Sequence, residues 1–67
     1  MKNEYNLGDI WMWTKNSADH PDDPDYNYFL ITEATWGYRV LYLKDGSRRW
    51  YTKDTLEHND KHLVLIA

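Results

Sequence analysis

Apolar residues in this chain come in short bursts between polar or turn-forming stretches, and nowhere do they sustain the 3.6-residue rhythm of a long amphipathic helix. Residues 9–14, DIWMWT, are dense in strand formers and follow Gly8. Residues 15–25, KNSADHPDDPD, carry two prolines and almost no apolar side chain, which predicts a loop. Residues 26–35, YNYFLITEAT, predict a second strand, and Trp36-Gly37 interrupts it before a third at 38–43. Asp45-Gly46 then predicts a tight hairpin, because both residues tolerate the positive φ of a type I′ turn. A fourth strand follows at 47–52. Residues 54–57 predict one helical turn with Asp54 as its N-cap, and 62–66 a last strand buried on both faces. The pattern predicts an all-β domain of five short strands with one 3-10 turn before the last.

Alternation along the strands adds a prediction about faces. Trp11 and Trp13 share one side of the first strand, opposite Ile10 and Met12. In the third, Tyr38, Val40 and Tyr42 oppose Arg39, Leu41 and Leu43. A chain of 67 residues is one domain near the lower limit of self-sufficiency, and without cysteine it has neither disulfides nor thiolate zinc to support it. Aromatic residues, 16% of the chain with four tryptophans, must supply the bulk of the core. They also exceed what so small a core is expected to hide, so some rings are expected at the surface.

Charge is unevenly spread. Residues 1–34 carry −5, residues 35–53 carry +4 and residues 54–67 carry −2, which together give the net −3. The basic stretch contains Arg39, Lys44, Arg48, Arg49 and Lys53 against Asp45 alone. It is either one sign of an ordinary mixed surface or a basic face that meets an acidic partner. The opening residues MKNEYNLGD hold no apolar run, and no stretch approaches the roughly 20 apolar residues of a membrane span. The expectation is a soluble, cytoplasmic domain without membrane contact.

The order strand, long loop, strand, short turn, strand, tight hairpin, strand, helical turn, strand is similar to that of SH3-like barrels. Within them the chain resembles most the Tudor and KOW branch. GDIWMW resembles its opening Gly-Asp strand. YRVLYLKDGSRRWYTKDTLEH resembles the Tudor sequence of apolar strand, hairpin Asp and Gly, second strand and Asp-x-Leu. The resemblance covers about residues 7–66 of a single domain, 1–67, and implies a five-stranded SH3-like barrel. It also implies that Trp13 and Tyr28 stand near the positions where Tudor domains cage methylated side chains. Asp45 replaces the aromatic usual before the hairpin glycine, which leaves such a cage incomplete. Short proteins of tailed phages are similar too, which would make this a phage-encoded protein that docks on a host or virion protein.

No catalytic constellation accompanies the fold. Ser17 and Ser47 lie in turns without an elbow motif, no Gly-rich phosphate loop exists, and a domain of this size offers little room for a cleft that shifts a catalytic pKa. His20-Pro21-Asp22 matches the J-domain signature only in letters, since that signature sits between two long helices. His58 and His62 flank a turn and lack a further zinc ligand. Neither metal nor cofactor is expected. The expected function is a non-enzymatic protein–protein interaction module that binds through Trp36, Tyr38, Arg39, Arg48, Arg49 and Trp50 on the hairpin of residues 36–51, because tryptophan and arginine dominate interface energetics. The alternative is a KOW- or Tudor-like barrel that binds nucleic acid with the same arginines, against which the acidic first half counts.

DHPDDPD, residues 19–25, lacks the Asp-x-Asp-x-Asp-Gly order and the distal glutamate of a calcium loop, and is expected to be a solvated loop stiffened by Pro21 and Pro24. Replacing Asp22 and Asp23 with Asn should then move the melting temperature by no more than about 2 °C, with no response to added calcium. A calcium-dependent rise of several degrees would mark the loop as a cation site, since a ligand of the native state must stabilise it.

Overall fold

Five antiparallel strands form one sheet in the computed structural model, which describes residues 3–67. They are β1 (Ile10–Trp13), β2 (Tyr28–Ala34), β3 (Gly37–Tyr42), β4 (Arg48–Thr52) and β5 (Leu63–Leu65). β1 to β4 run as a meander, and β5 returns to pair with β1, so the spatial order is β4-β3-β2-β1-β5. The remaining elements are a 3-10 turn at Pro24–Asn27, a six-residue helix α1 (Lys53–His58) and a second 3-10 turn at Asp60–His62. The all-β class and five strands agree with the sequence. Hydrogen-bonded closure into a barrel is not seen: the edge strands β4 and β5 do not pair, and α1 with the second 3-10 turn fills the connection between them. Among the described residues no helix is long and apolar enough to cross a membrane.

Alternation explains which side is inside. The register Trp11↔Phe29, Phe29↔Tyr42 and Ile31↔Val40 lines up one apolar face across β1, β2 and β3. Trp11, Phe29, Ile31, Tyr38 and Val40 are buried on that face, joined by Leu63 from β5, with Trp13, Tyr42 and Tyr51 packed at its margin. Each fully buried side chain of this size contributes about 1.5–3 kcal/mol relative to exposure. Leu56 of α1 and Tyr5 from the lead-in segment complete the core. The polar lead-in does not advertise Tyr5. Its ring packs on Trp11 and Tyr38, and its hydroxyl donates to the Asp60 carboxylate, so a short N-terminal strap is tied to the second 3-10 turn.

One irregularity decides what the opposite face carries. Ile31 pairs with Val40 and Glu33 with Arg39, so Thr32 is an extra residue in β2. Without this bulge Glu33 would share the inner face with Ile31; with it, Glu33 turns outward beside Arg39 while Ala34 pairs with inward Tyr38. The outer face otherwise bears the registered row Ile10, Leu30, Leu41 and Arg48.

Four local expectations are corrected. The last strand is not buried on both faces: β5 lies at the sheet edge and buries only Leu63, with Val64 and Leu65 exposed. The second strand begins at Tyr28, because Asp23 caps the Pro24–Asn27 turn by accepting the Asp25 N–H at 3.0 Å and Pro24 suits the first turn. α1 is longer than one 3-10 turn, and its N-cap is Thr52, whose hydroxyl accepts the Thr55 N–H at 3.2 Å; Asp54 lies in the first turn instead. The β3–β4 hairpin is not a two-residue type I′ turn. Tyr42 and Ser47 close a four-residue loop, Tyr42 N–H donating to the Ser47 carbonyl at 2.8 Å, and Gly46 alone has positive φ, at 73°. Asp45 serves the loop through its side chain, which accepts the Ser47 N–H at 2.9 Å.

Gly46 therefore remains the sensitive position. No atom crowds its missing Cβ, so the cost of substitution lies in the left-handed backbone rather than in packing. Gly46→Val should lower unfolding free energy by more than about 1 kcal/mol in a urea titration. A variant as stable as the parent would show that this turn relaxes into another conformation.

Candidate functional site

The six residues expected to form one patch separate onto three locations. Adjacent residues of a strand point to opposite faces, and the β3–β4 register makes the division explicit. Arg39↔Trp50 and Leu41↔Arg48 lie outside; Tyr38↔Tyr51 and Val40↔Arg49 lie inside. Tyr38 is only 9% exposed and its ring meets Tyr5 edge-on at 5.6 Å, so it is a core residue and not part of a contact surface. Arg49 is exposed because β4 is an edge strand, but it belongs to a cleft on the inner side.

The outer group comprises Arg39, Arg48 and Trp50, with Trp36 in the turn before β3. Trp36 stands in the β2–β3 turn with 90% of its surface exposed, and Trp50 is 48% exposed. The Arg39 guanidinium carbon lies 5.8 Å from the Trp50 ring centroid, and Arg39 Nε is 3.4 Å from Glu33 Oε2. That triad holds an arginine over a tryptophan in open solvent, a geometry that restrains both side chains. Arg48 has no acidic partner among the described residues. Gly37 shapes this surface: a Cβ there would lie 2.7 Å from Trp50 Cζ2 and 2.6 Å from the Tyr51 carbonyl oxygen, so only glycine lets the indole lie across the start of β3. A shallow groove of about 560 Å³ runs along Thr32, Arg39, Leu41, Arg48, Arg49 and Trp50, so Arg49 at the sheet edge borders this groove as well as the inner cleft.

A second depression, about 280 Å³, opens where the first loop meets the β3–β4 hairpin. The loop is more ordered than its composition suggests. Buried Asn27 donates to Asn16 Oδ1 at 2.9 Å, Asn16 donates to the Pro21 carbonyl at 2.7 Å, and the His20 ring stacks on Tyr26 at 3.6 Å with 10° between planes. Lys44 reaches from the hairpin to the same Tyr26 ring and to Asp25. Trp13 lines this cleft. Tyr28 does not, since its pairing with Met12 puts it on the outer face; Tyr26, Tyr42 and Tyr51 stand there instead. Their roles were hidden because each comes from a different element.

Among the described residues no three His, Asp or Glu side chains gather as a metal site. The aspartates of 19–25 face turns and solvent, and His58 and His62 belong to α1 and the second 3-10 turn. No family model matches the chain, and no curated protein and no solved structure matches it either.

Three phenols have shifted proton affinities. Burial, then the hydrogen bond to Asp60, pushes the Tyr5 hydroxyl above its ordinary 10.0. Burial, then the hydrogen bond to Tyr51, does the same for Tyr42, and burial for Tyr38. The unfolded chain loses these protons near pH 10 while the folded chain retains them, so stability is level below that pH and falls as pH rises past it. The urea midpoint should be constant from about pH 7 to 9.5 and decline steadily above about pH 10. A midpoint that holds to about pH 12 would contradict the burial of these hydroxyls.

Proposed function

We propose that this chain is an SH3-like barrel, left open between β4 and β5, that acts as a non-enzymatic protein-docking module through the outer face of its β3–β4 hairpin. The fold reading is supported by the strand order, a four-strand meander with the fifth strand returned to the first. The functional reading rests on one observation: Trp50 is exposed beside Arg39 and Arg48 on the outer face, with the Arg39 guanidinium over its ring, and Trp36 is exposed in the adjoining β2–β3 turn. A small domain that must fill its core with rings leaves two tryptophans outside it. Burying them against a partner would recover apolar area, while an unpaired Arg48 selects for an acidic or carbonyl-rich protein surface. Glu33 beside Arg39, and the chain's net −3, oppose the phosphate backbone of a nucleic acid.

Affinity capture with the wild-type chain supplies the partner for a quantitative test. Trp36→Ala with Arg48→Ala should weaken that complex by about 2 kcal/mol or more, roughly thirtyfold, without changing the melting temperature. Lys61→Ala, beyond this face on the second 3-10 turn, should have no effect. Full affinity in the double variant would exclude this face. A complex formed with RNA or DNA, with log affinity falling steeply against log salt, would instead establish the nucleic-acid reading.

A further inference from the structure

The inner cleft carries a hydrogen-bond chain with a defined direction. Trp13 Nε1 lies 3.0 Å from the Tyr42 hydroxyl, and the Tyr42 and Tyr51 hydroxyls are 2.5 Å apart. An indole nitrogen can only donate, so the Tyr42 oxygen accepts from Trp13. The Tyr42 proton then goes to Tyr51, in keeping with the raised proton affinity of Tyr42, and reversing that bond would leave the Tyr42 proton without a partner in a half-buried position. The chain ends at Tyr51. Its oxygen accepts from Tyr42, and its own proton has no acceptor among the described residues.

Arg49 lies two residues before Tyr51 on the same side of β4 and also lines the cleft, without an ion-pair partner among the described residues. Lys15 lines the facing loop. Of the two aspartates at this cleft, Asp45 is committed to its own turn through the Ser47 N–H, which holds its carboxyl below the ordinary carboxylate value, and Asp19 is exposed at the rim. The unspent groups deep in the cleft are therefore donors, with the Asp19 carboxylate left as an acceptor at the rim, and the wall behind them is aromatic, from Trp13 and Tyr42. Cooperative polarisation along Trp13, Tyr42 and Tyr51 strengthens the terminal O–H as a donor.

We propose that this cleft binds a carboxylate carried on an aromatic or apolar body, with the Tyr51 hydroxyl and the Arg49 guanidinium holding the carboxylate and the ring of the ligand resting on the Trp13 side. A volume of about 280 Å³ admits one ring and a short chain. The carboxylate is supplied either by a small aromatic acid or by the C-terminus of a peptide ending in an aromatic residue. The site is centred on the inner side of β4, where Arg49 alternates with outward Arg48, and Arg49 at the sheet edge also borders the outer groove.

The probes are 3-phenylpropanoate, its amide, and N-acetyl-glycyl-phenylalanine as free acid and as amide, titrated into the full chain and followed by the NMR signals of the Trp13 indole N–H and the Arg49 side chain. Either acid should shift both signals at millimolar concentration or below, and its amide should bind at least about tenfold more weakly, since a charge-assisted contact is lost. Tyr51→Phe, which keeps the ring, should weaken the acid about fivefold, and Arg49→Ala about tenfold or more, while Arg48→Ala leaves it unchanged. Tighter binding of the acetylated dipeptide would identify a chain terminus as the ligand, and binding of phenylpropanoate alone a small acid. An amide that binds as well as its acid, or no shift at Trp13 with either acid, would overturn the proposal. The acid–amide comparison needs no variant, so its outcome does not depend on how the substituted proteins fold.

Discussion

The rings around Phe29 are the interaction on which the rest of the structure depends. Phe29 is fully buried at the centre of β2, with Trp13 at 6.2 Å, Tyr42 at 5.6 Å and Tyr51 at 6.2 Å between ring centroids. Those partners come from β1, β3 and β4, so one side chain ties four strands together. A chain this short and without cysteine has few other means of holding a sheet that does not close. Large, rigid rings bury much area for few immobilised torsions, which is why aromatic content can stand in for size. Leu56 and Tyr5 then cover the end of the core near β5, and Asp60 holds Tyr5 there.

This use of rings also explains where exposed indoles and a polar cleft remain. The polar tips of Trp13, Tyr42 and Tyr51 cannot be buried without partners, so they satisfy one another at the margin of the core and line a cleft there. Trp36 and Trp50 have no inward position left. Trp36 sits in a turn, and Trp50 alternates with Tyr51, which takes the inner place. Exposed Trp50 and the polar cleft are two outcomes of one packing arrangement, on opposite faces of the β3–β4 hairpin.

Much of this is legible in the residues themselves. The five strands fall where bursts of β-branched and aromatic residues lie between turn formers, and alternation correctly pairs Trp11 with Trp13 and Tyr38 with Val40 on one side. The separation of Arg48 from Arg49 is also contained in alternation, although local charge density groups them. Other features have no local signature. Tyr5 lies in a polar segment, and only contacts with Trp11, Tyr38 and Asp60, distant in sequence, make it a core residue. The bulge at Thr32 depends on how β2 registers with β3, and nothing in Ile-Thr-Glu announces it. The hairpin loop is ambiguous in sequence because Asp-Gly suits two different turns: the type I′ pair, and the third and fourth positions after Tyr42 in the loop found here.

The bulge and Gly37 together show how the outer face is built rather than merely left over. Thr32 donates its hydroxyl to the Arg39 carbonyl at 3.2 Å, which secures the extra residue in the strand. The shift brings Glu33 to Arg39, and Arg39 in turn covers Trp50. The absence of a Cβ at Gly37 also allows Trp50 to lie against the backbone. Each step removes freedom from an exposed side chain before any partner arrives, and ordering of this kind lowers the entropic cost of association. Surface side chains without a role in contact gain nothing from such constraint. A bulge, an ion pair and a glycine all converge on one exposed indole, and that convergence is the structural ground for the proposal that the outer face docks a partner.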